Sequence, residues 1–294
     1  MLEKFGSSDT RTKINFIRET RQVCKNFNNI AFNVLRNNFP ISVTFKDGIQ
    51  MKVTNIHDLV FLARHNAWKY CQINEDELQV SFNGSTVKFS DWRHNGDIPR
   101  IFIKEDYKSI PAKNSTVIDV GANIGDSSIY FALKGAKKVI AIEPVLSNYQ
   151  CLKKNVKLND LKNIEFKMVG VAGERDKITI DINMSSNGAI VKSNKGQEVE
   201  MITLEDVVNE YNIESGILKL DCEGYEHEII MFSSPDILLK FKYIFTELHF
   251  KTIKPINEIK QKLEQIGFNV SFNYLLGLQF PAFLIATKIN ADNP

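Results

Sequence analysis

From about residue 115 onward, continuous apolar runs alternate with stretches of helical period. The runs TVIDV, KVIAIE, IEFKMVGVA, GILKLD and YIFTEL are separated by periodic segments at 126–134, 147–158, 204–212 and 256–266. Strands apolar at every position, each leading into a helix, predict a parallel sheet covered on both faces. The ending differs: FNVSFNY and AFLIATK, separated by LLGLQFP, predict an antiparallel pair closing one edge. The stretch SSNGAIVKSNKGQEVE, 185–200, is the most loop-like part of this half.

The first third has another grammar. Residues 11–39 carry Ile14, Phe16, Ile17, Val23, Phe27, Ile30, Phe32, Val34 and Leu35 at loosely helical spacing, predicting one or two amphipathic helices before Pro40. Two hairpins follow, ISVTF with IQMKVT around KDG and LQVSF with TVKF around NGS. Between them NIHDLVFLARHNAWKYC reads as a helix capped by Asn55. The expected organisation is an α+β region over 1–105, a possible substrate cap, followed by an α/β domain over 106–294.

Composition narrows the class. With 294 residues and 43% hydrophobic content the chain buries a full core, and 37 Lys plus Arg against 35 Asp plus Glu leave no global field to recruit nucleic acid or an anionic membrane. Residues 1–40 hold seven basic and three acidic side chains, a slight excess that reads as a solvated helix face. Cys24, Cys71, Cys151 and Cys222 lack CxxC spacing, and no long apolar run follows MLEKFGSSDT. Free thiols in a reducing cytosol, and no membrane partner, are the expectation.

The chemistry should lie at the carboxyl ends of the strands, where open α/β sheets leave their crevice. Those ends carry Asp119 with Gly121 and Gly125, then Glu143, then Gly170–Ala172 with Val171 at the centre, then Asp221, then Glu247 and His249. The glycines let the backbone approach a ligand, and the helix from Asp126 aims its first amides at it. The spacing is G-x-x-x-G, with Asn123 where a pyrophosphate site would put its middle glycine, and Asp126 repels phosphate but tolerates a cation. Glu143, 22 residues beyond Gly121, stands where a carboxylate accepts both hydroxyls of a ribose. A cationic nucleoside without phosphate is S-adenosylmethionine.

VIDVGANIGDSSIYFALKGAKKVIAIEP, ITLEDVV, LKLDCEGYEHEI and FTELH occur in that order, and together they resemble the FkbM family of S-adenosylmethionine-dependent methyltransferases over residues 97–250. The resemblance implies the class I methyltransferase fold and O-methylation of a hydroxyl on a sugar, polyketide or related secondary metabolite. It leaves the first 95 residues unassigned.

Asp119, Gly121, Asn123, Gly125, Glu143, Val171 and Asp221 are therefore the expected cofactor contacts. Asp119 either holds the glycine loop or meets the methionine ammonium, and Asn123 either caps a helix or touches the cofactor. Lys219, interrupting an apolar strand, is a buried ion pair or a substrate contact. Asp221, Glu223, Glu226 and His249 are the candidates for the transfer itself, an in-line attack of an alcohol oxygen on the activated methyl with a base taking the proton. His227 and Glu228 read as a solvated helix face. No tight metal-ligand spacing is present; a divalent cation on the acidic rim beside His249 is the minority alternative. The competing readings are a methyltransferase of RNA or protein, and a binding module that keeps the fold without catalysis.

Overall fold

The computed structural model describes residues 19–74, 76–94, 97–181, 193–249, 252–274 and 283–289. Contacts divide the chain into two compact units, one ending at Asp106 and the other beginning at Tyr107. Among the described residues no helix is long and apolar enough to cross a membrane.

The first unit contains a helix over Phe27–Leu35, a hairpin of Ile41–Thr44 with Gln50–Val53, a helix over Ile56–Ala63, and a three-stranded antiparallel sheet of Cys71–Asn74, Glu77–Phe82 and Ser85–Ser90. Asn55 caps the second helix, its side chain accepting the Asp58 amide at 2.9 Å. That helix is shorter than its periodicity predicts, because His65 and Asn66 take positive φ and turn the chain into a 3-10 segment ending at Lys69. The strand Cys71–Asn74 escapes the sequence pattern for the same reason: it begins inside the expected helix. Residues 11–18 of the expected first helix lie outside the described residues.

In the second unit the strands are β1 (Thr116–Val120), β2 (Lys138–Ile142), β3 (Ile164–Lys167), β4 (Gly170–Ala172), β5 (Asp176–Ile180), β6 (Gln197–Thr203), β7 (Gly216–Leu220), β8 (Phe241–Glu247), β9 (Phe268–Asn273) and β10 (Phe283–Lys288). The helices are α1 (Asp126–Leu133), α2 (Leu146–Leu158), α3 (Leu204–Glu210), α4 (Glu226–Phe232), α5 (Pro235–Leu238) and α6 (Ile253–Gln265). Seven strands form the main sheet in the order β9-β10-β8-β7-β1-β2-β3. Neighbours from β8 through to β3 are parallel, while β10 runs antiparallel to both β8 and β9. This is the sheet of the class I methyltransferase fold. All five residues of β7 are buried, and side chains alternate between the two faces of a strand, so both faces at the sheet centre are covered.

Two expectations are corrected. IEFKMVGVA is not one strand: β3 ends at Lys167, and β4 pairs in parallel with β6 in a separate three-stranded sheet, β5-β6-β4. An apolar run does not reveal a chain leaving one sheet for another. Gly170 permits the departure, since a Cβ there would lie 2.3 Å from the Met201 sulfur. The expected loop over 185–200 is also shorter than read, because Gln197 to Glu200 belong to β6; its residues 185–192 lie outside the described residues.

The turn between β1 and α1 is braced from below. Asn155, fully buried on α2, donates to the Ile124 carbonyl at 2.9 Å. An unpaired buried carbonyl costs about 1–3 kcal/mol. Asn155→Ala is therefore expected to lower unfolding free energy by about that amount in urea denaturation, and a loss below about 0.5 kcal/mol would show the turn to be held elsewhere.

Candidate functional site

The strand ends of β1, β2, β7 and β8 lie side by side in the sheet, and bring their polar residues to one edge of it. At its base is a buried ion pair. Lys219 and Asp119 are register partners on adjacent strands, and Lys219 Nζ lies 2.9 Å from Asp119 Oδ1 with both side chains essentially inaccessible. The ammonium also donates to the Gly121 carbonyl at 3.0 Å and lies 3.5 Å from Asp221 Oδ2. Burial alone would discharge this lysine. The carboxylate of Asp119, with Tyr107 and Asp221, outweighs that and holds it charged well above the usual lysine range.

Asp119 uses its other oxygen on the start of α1, accepting the hydroxyls of Ser127 and Ser128 at 2.6 Å each. It accepts none of the glycine loop's amides: those of Gly121 and Ala122 go to the Ile142 carbonyl and that of Asn123 to Glu143. Lys219 is the buried pair rather than an exposed contact.

Between these anchors runs the glycine turn. Gly121 has φ +79°, and a Cβ there would fall 1.8 Å from the Asp221 carbonyl oxygen, so no larger residue fits without moving β7. Gly125 has φ +92° and would clash with Leu152 at 2.5 Å. Asn123 also takes a positive φ, and its amide donates to Glu143 Oε2 at 2.9 Å. No side chain caps α1.

Glu143 is only 4% exposed and accepts the Val145 amide on its other oxygen at 2.9 Å, with Asn148 Nδ2 at 3.4 Å. Burial pushes its carboxyl up to about 7, against the pull of those donors towards the ionised form. Each carboxylate oxygen keeps lone-pair capacity beyond these bonds. Val171 is buried among Val120, Ile142 and Ile202 in the core beneath the rim.

The second cluster sits over β7 and β8. Asp221 lies just past β7, Glu223 follows in a left-handed conformation with φ +55°, and His249 lies just past β8. Glu226 is fully buried. Its Oε1 accepts His249 Nδ1 and the Cys222 amide, each at 2.9 Å, and its Oε2 accepts the Gly224 amide at 2.9 Å. It therefore ties the 221–226 loop to the imidazole and has no exposed surface of its own. His249 Nε2 is aimed between Asp221 Oδ1 and Glu223 Oε2, 3.8 Å from each. Burial opposes charge on this ring, but the Glu226 bond and the three surrounding carboxylates prevail and raise its pKa to about 9. The shift favours the charged ring at neutral pH, with Nδ1 bonded to Glu226 and Nε2 facing the two other carboxylates.

Among the described residues, Asp221, Glu247 and His249 each offer a ligand atom within 4.8 Å of the others, a group able to receive a divalent ion. His227 and Glu228 are not a freely solvated face: His227 Nε2 lies 2.8 Å from Glu258, and Glu228 accepts the Gly173 amide at 3.1 Å. Sequence reasoning passed over Ser127, Ser128, Asn148 and Asn155, the polar side chains that hold the turn and Glu143 in place. The paired serines directly after Gly125-Asp126 were the available signal, since hydroxyls opening a helix beside a buried aspartate have an obvious acceptor.

Residues 119–270 match the Methyltransferase FkbM domain family. The chain belongs to that family. S-adenosylmethionine is the methyl donor that comes with membership, and the chain is a methyltransferase. A search of curated proteins gives no match. Among solved structures, an rRNA methylase from Streptococcus thermophilus is similar at 14% identity, over 65% of this chain and 96% of that one, with TM-score 0.43. TYW2 of M. jannaschii, in complex with AdoMet, is similar at 19% identity over 74% and 87% of the two chains, with TM-score 0.39. The ribosomal protein L11 methylase of Lactobacillus delbrueckii subsp. bulgaricus gives 14%, 65%, 78% and 0.35.

A histidine whose pKa rises on folding contributes stability that is full below its unfolded value near 6.5 and lost as pH climbs through about 9. The stability advantage of this protein over a His249→Gln variant is therefore expected to be constant below pH 6.5 and to shrink between there and about 9 in urea unfolding. A difference that stayed the same across that window would contradict the protonated assignment.

Proposed function

We propose that this FkbM methyltransferase transfers a methyl group from S-adenosylmethionine to a hydroxyl of a sugar or secondary metabolite. The observation that carries the reading is the convergence on one crevice of a phosphate-hostile glycine turn, a buried ribose-type carboxylate and a second cluster of three acids around a histidine. Bound S-adenosylmethionine supplies an already activated methyl on a cationic sulfur.

In this reading Glu143 accepts the two ribose hydroxyls while its bonds from Asn123 and Val145 fix its plane. Gly121 and Gly125 leave the turn's backbone open to the methionine moiety, and Asp221 faces its positive charge. Asp119 acts from below by holding the turn. At the transfer end, Glu223 or Asp221 takes the acceptor's proton, and the imidazolium of His249 stabilises whichever carboxylate is ionised and orients the hydroxyl. Glu226 keeps that ring aimed. Most of the rate enhancement then comes from alignment, which in favourable systems supplies about 7–11 kcal/mol. The Asp221, Glu247 and His249 group supports a second reading of the same residues, in which a divalent ion acidifies the hydroxyl.

Calorimetry tests the first half of this assignment. Glu143→Ala is expected to weaken S-adenosylmethionine binding by about ten- to a hundredfold, the effect of losing charge-assisted bonds worth about 1.5–3 kcal/mol. An unchanged dissociation constant in the folded variant would place the ribose elsewhere. Activity that survives EDTA supports the carboxylate base; activity lost with chelator and restored by magnesium moves these residues from proton transfer to metal ligation.

A further inference from the structure

Beside the transfer cluster the second unit has a cleft of about 420 Å3 that no step above uses. Its floor is apolar, made by Ile178 of β5 and Met201 of β6, both buried. One wall is Tyr225, half-buried and packed against two core clusters, with Glu228 one turn further on. The rim carries Glu174 and Asp176, both exposed. Arg175, the cation of the lining, is engaged by Asp206, its Nε donating at 2.9 Å.

The cleft and the transfer cluster share one loop. Gly224 and Tyr225 follow Glu223 directly, and the Gly224 amide is fixed by Glu226, the same carboxylate that holds His249. A molecule seated against Tyr225 therefore lies a residue or two along the chain from the carboxylates that face the activated methyl. The volume falls within the usual range for small-molecule sites.

We propose that this cleft is the acceptor subsite, and that it takes a neutral or amino-bearing sugar ring. The inference rests on the methyltransferase reading above and names its substrate class. An aromatic ring on one wall and an apolar floor suit the C–H face of a pyranose, while carboxylates around the edge accept its hydroxyl and ammonium protons. Three acids against one already paired arginine repel a phosphorylated or polynucleotide acceptor.

Saturation-transfer NMR on the protein loaded with S-adenosylhomocysteine tests this, using methyl β-D-glucopyranoside, D-glucosamine and D-glucose 6-phosphate as probes beside a short RNA hairpin. The first two sugars are expected to give ring-proton signals, strongest for glucosamine, and the phosphate ester and RNA none. Tyr225→Ala should weaken the sugar signals about fivefold, the loss expected for one aromatic contact. Glu174→Lys, an exposed change that leaves the fold alone, should abolish the preference for glucosamine. S-adenosylhomocysteine affinity should stay within about threefold in both variants, since neither residue serves the cofactor. Signals from RNA alone, no sugar signal with cofactor bound, or equal signals in wild type and both variants would overturn the subsite while leaving the methyltransferase reading intact. Failure of S-adenosylhomocysteine to bind the wild-type protein would bring down both.

Discussion

The Lys219–Asp119 pair bears on every other part of the crevice. It joins β1 to β7 where the sheet is buried on both faces, and two charges there are tolerable because they lie 2.9 Å apart and offset one another. Lys219 reaches the Gly121 carbonyl, so the pair also fixes the first residue of the glycine turn. Asp119 reaches Ser127 and Ser128, so it fixes the first turn of α1 as well. Gly121 in turn lies so close to the Asp221 carbonyl that a Cβ would fall 1.8 Å from its oxygen, so the turn and the chain just past β7 are packed backbone to backbone. A single buried contact thus touches β1, β7, the glycine turn and, through Asp119, the start of α1.

The two halves then tune their carboxylates in opposite senses. Glu143 is held by main-chain amides in a dry pocket and has its pKa raised to about 7, so its charge comes cheaply only when further donors arrive. On the other side Glu226 is buried without becoming an isolated charge, because the imidazolium of His249 and two loop amides share its oxygens. That leaves Asp221 and Glu223 as the partly open acids, with a cation between them. The fully buried acid and the partly open ones are separated by depth within a loop of six residues.

Much of this was legible in the sequence. Four of the five strand ends read for glycines or acids do end strands of the main sheet, while the fifth, Gly170–Ala172, belongs to another sheet. What was not legible depends on depth and direction. Glu226, His227 and Glu228 are three consecutive polar residues at a helix start, and nothing local distinguishes the one that is fully buried from its two half-buried neighbours. The split of IEFKMVGVA into strands of two sheets is invisible to periodicity, because both pieces are apolar. His249 reads as a possible base from its residue type; its protonation follows from three carboxylates gathered by distant parts of the chain.

The account depends most on the buried pair acting as a unit, and a double-mutant cycle measures that directly. Asp119→Asn and Lys219→Met, singly and together, would be compared with the parent protein by urea denaturation. Each single change strands a charge and should cost about 3–5 kcal/mol, while the double change should cost much less than their sum, with a coupling of about 2 kcal/mol or more. Costs that add to within about 0.5 kcal/mol would show two independent residues and contradict the claim that this pair holds the crevice together.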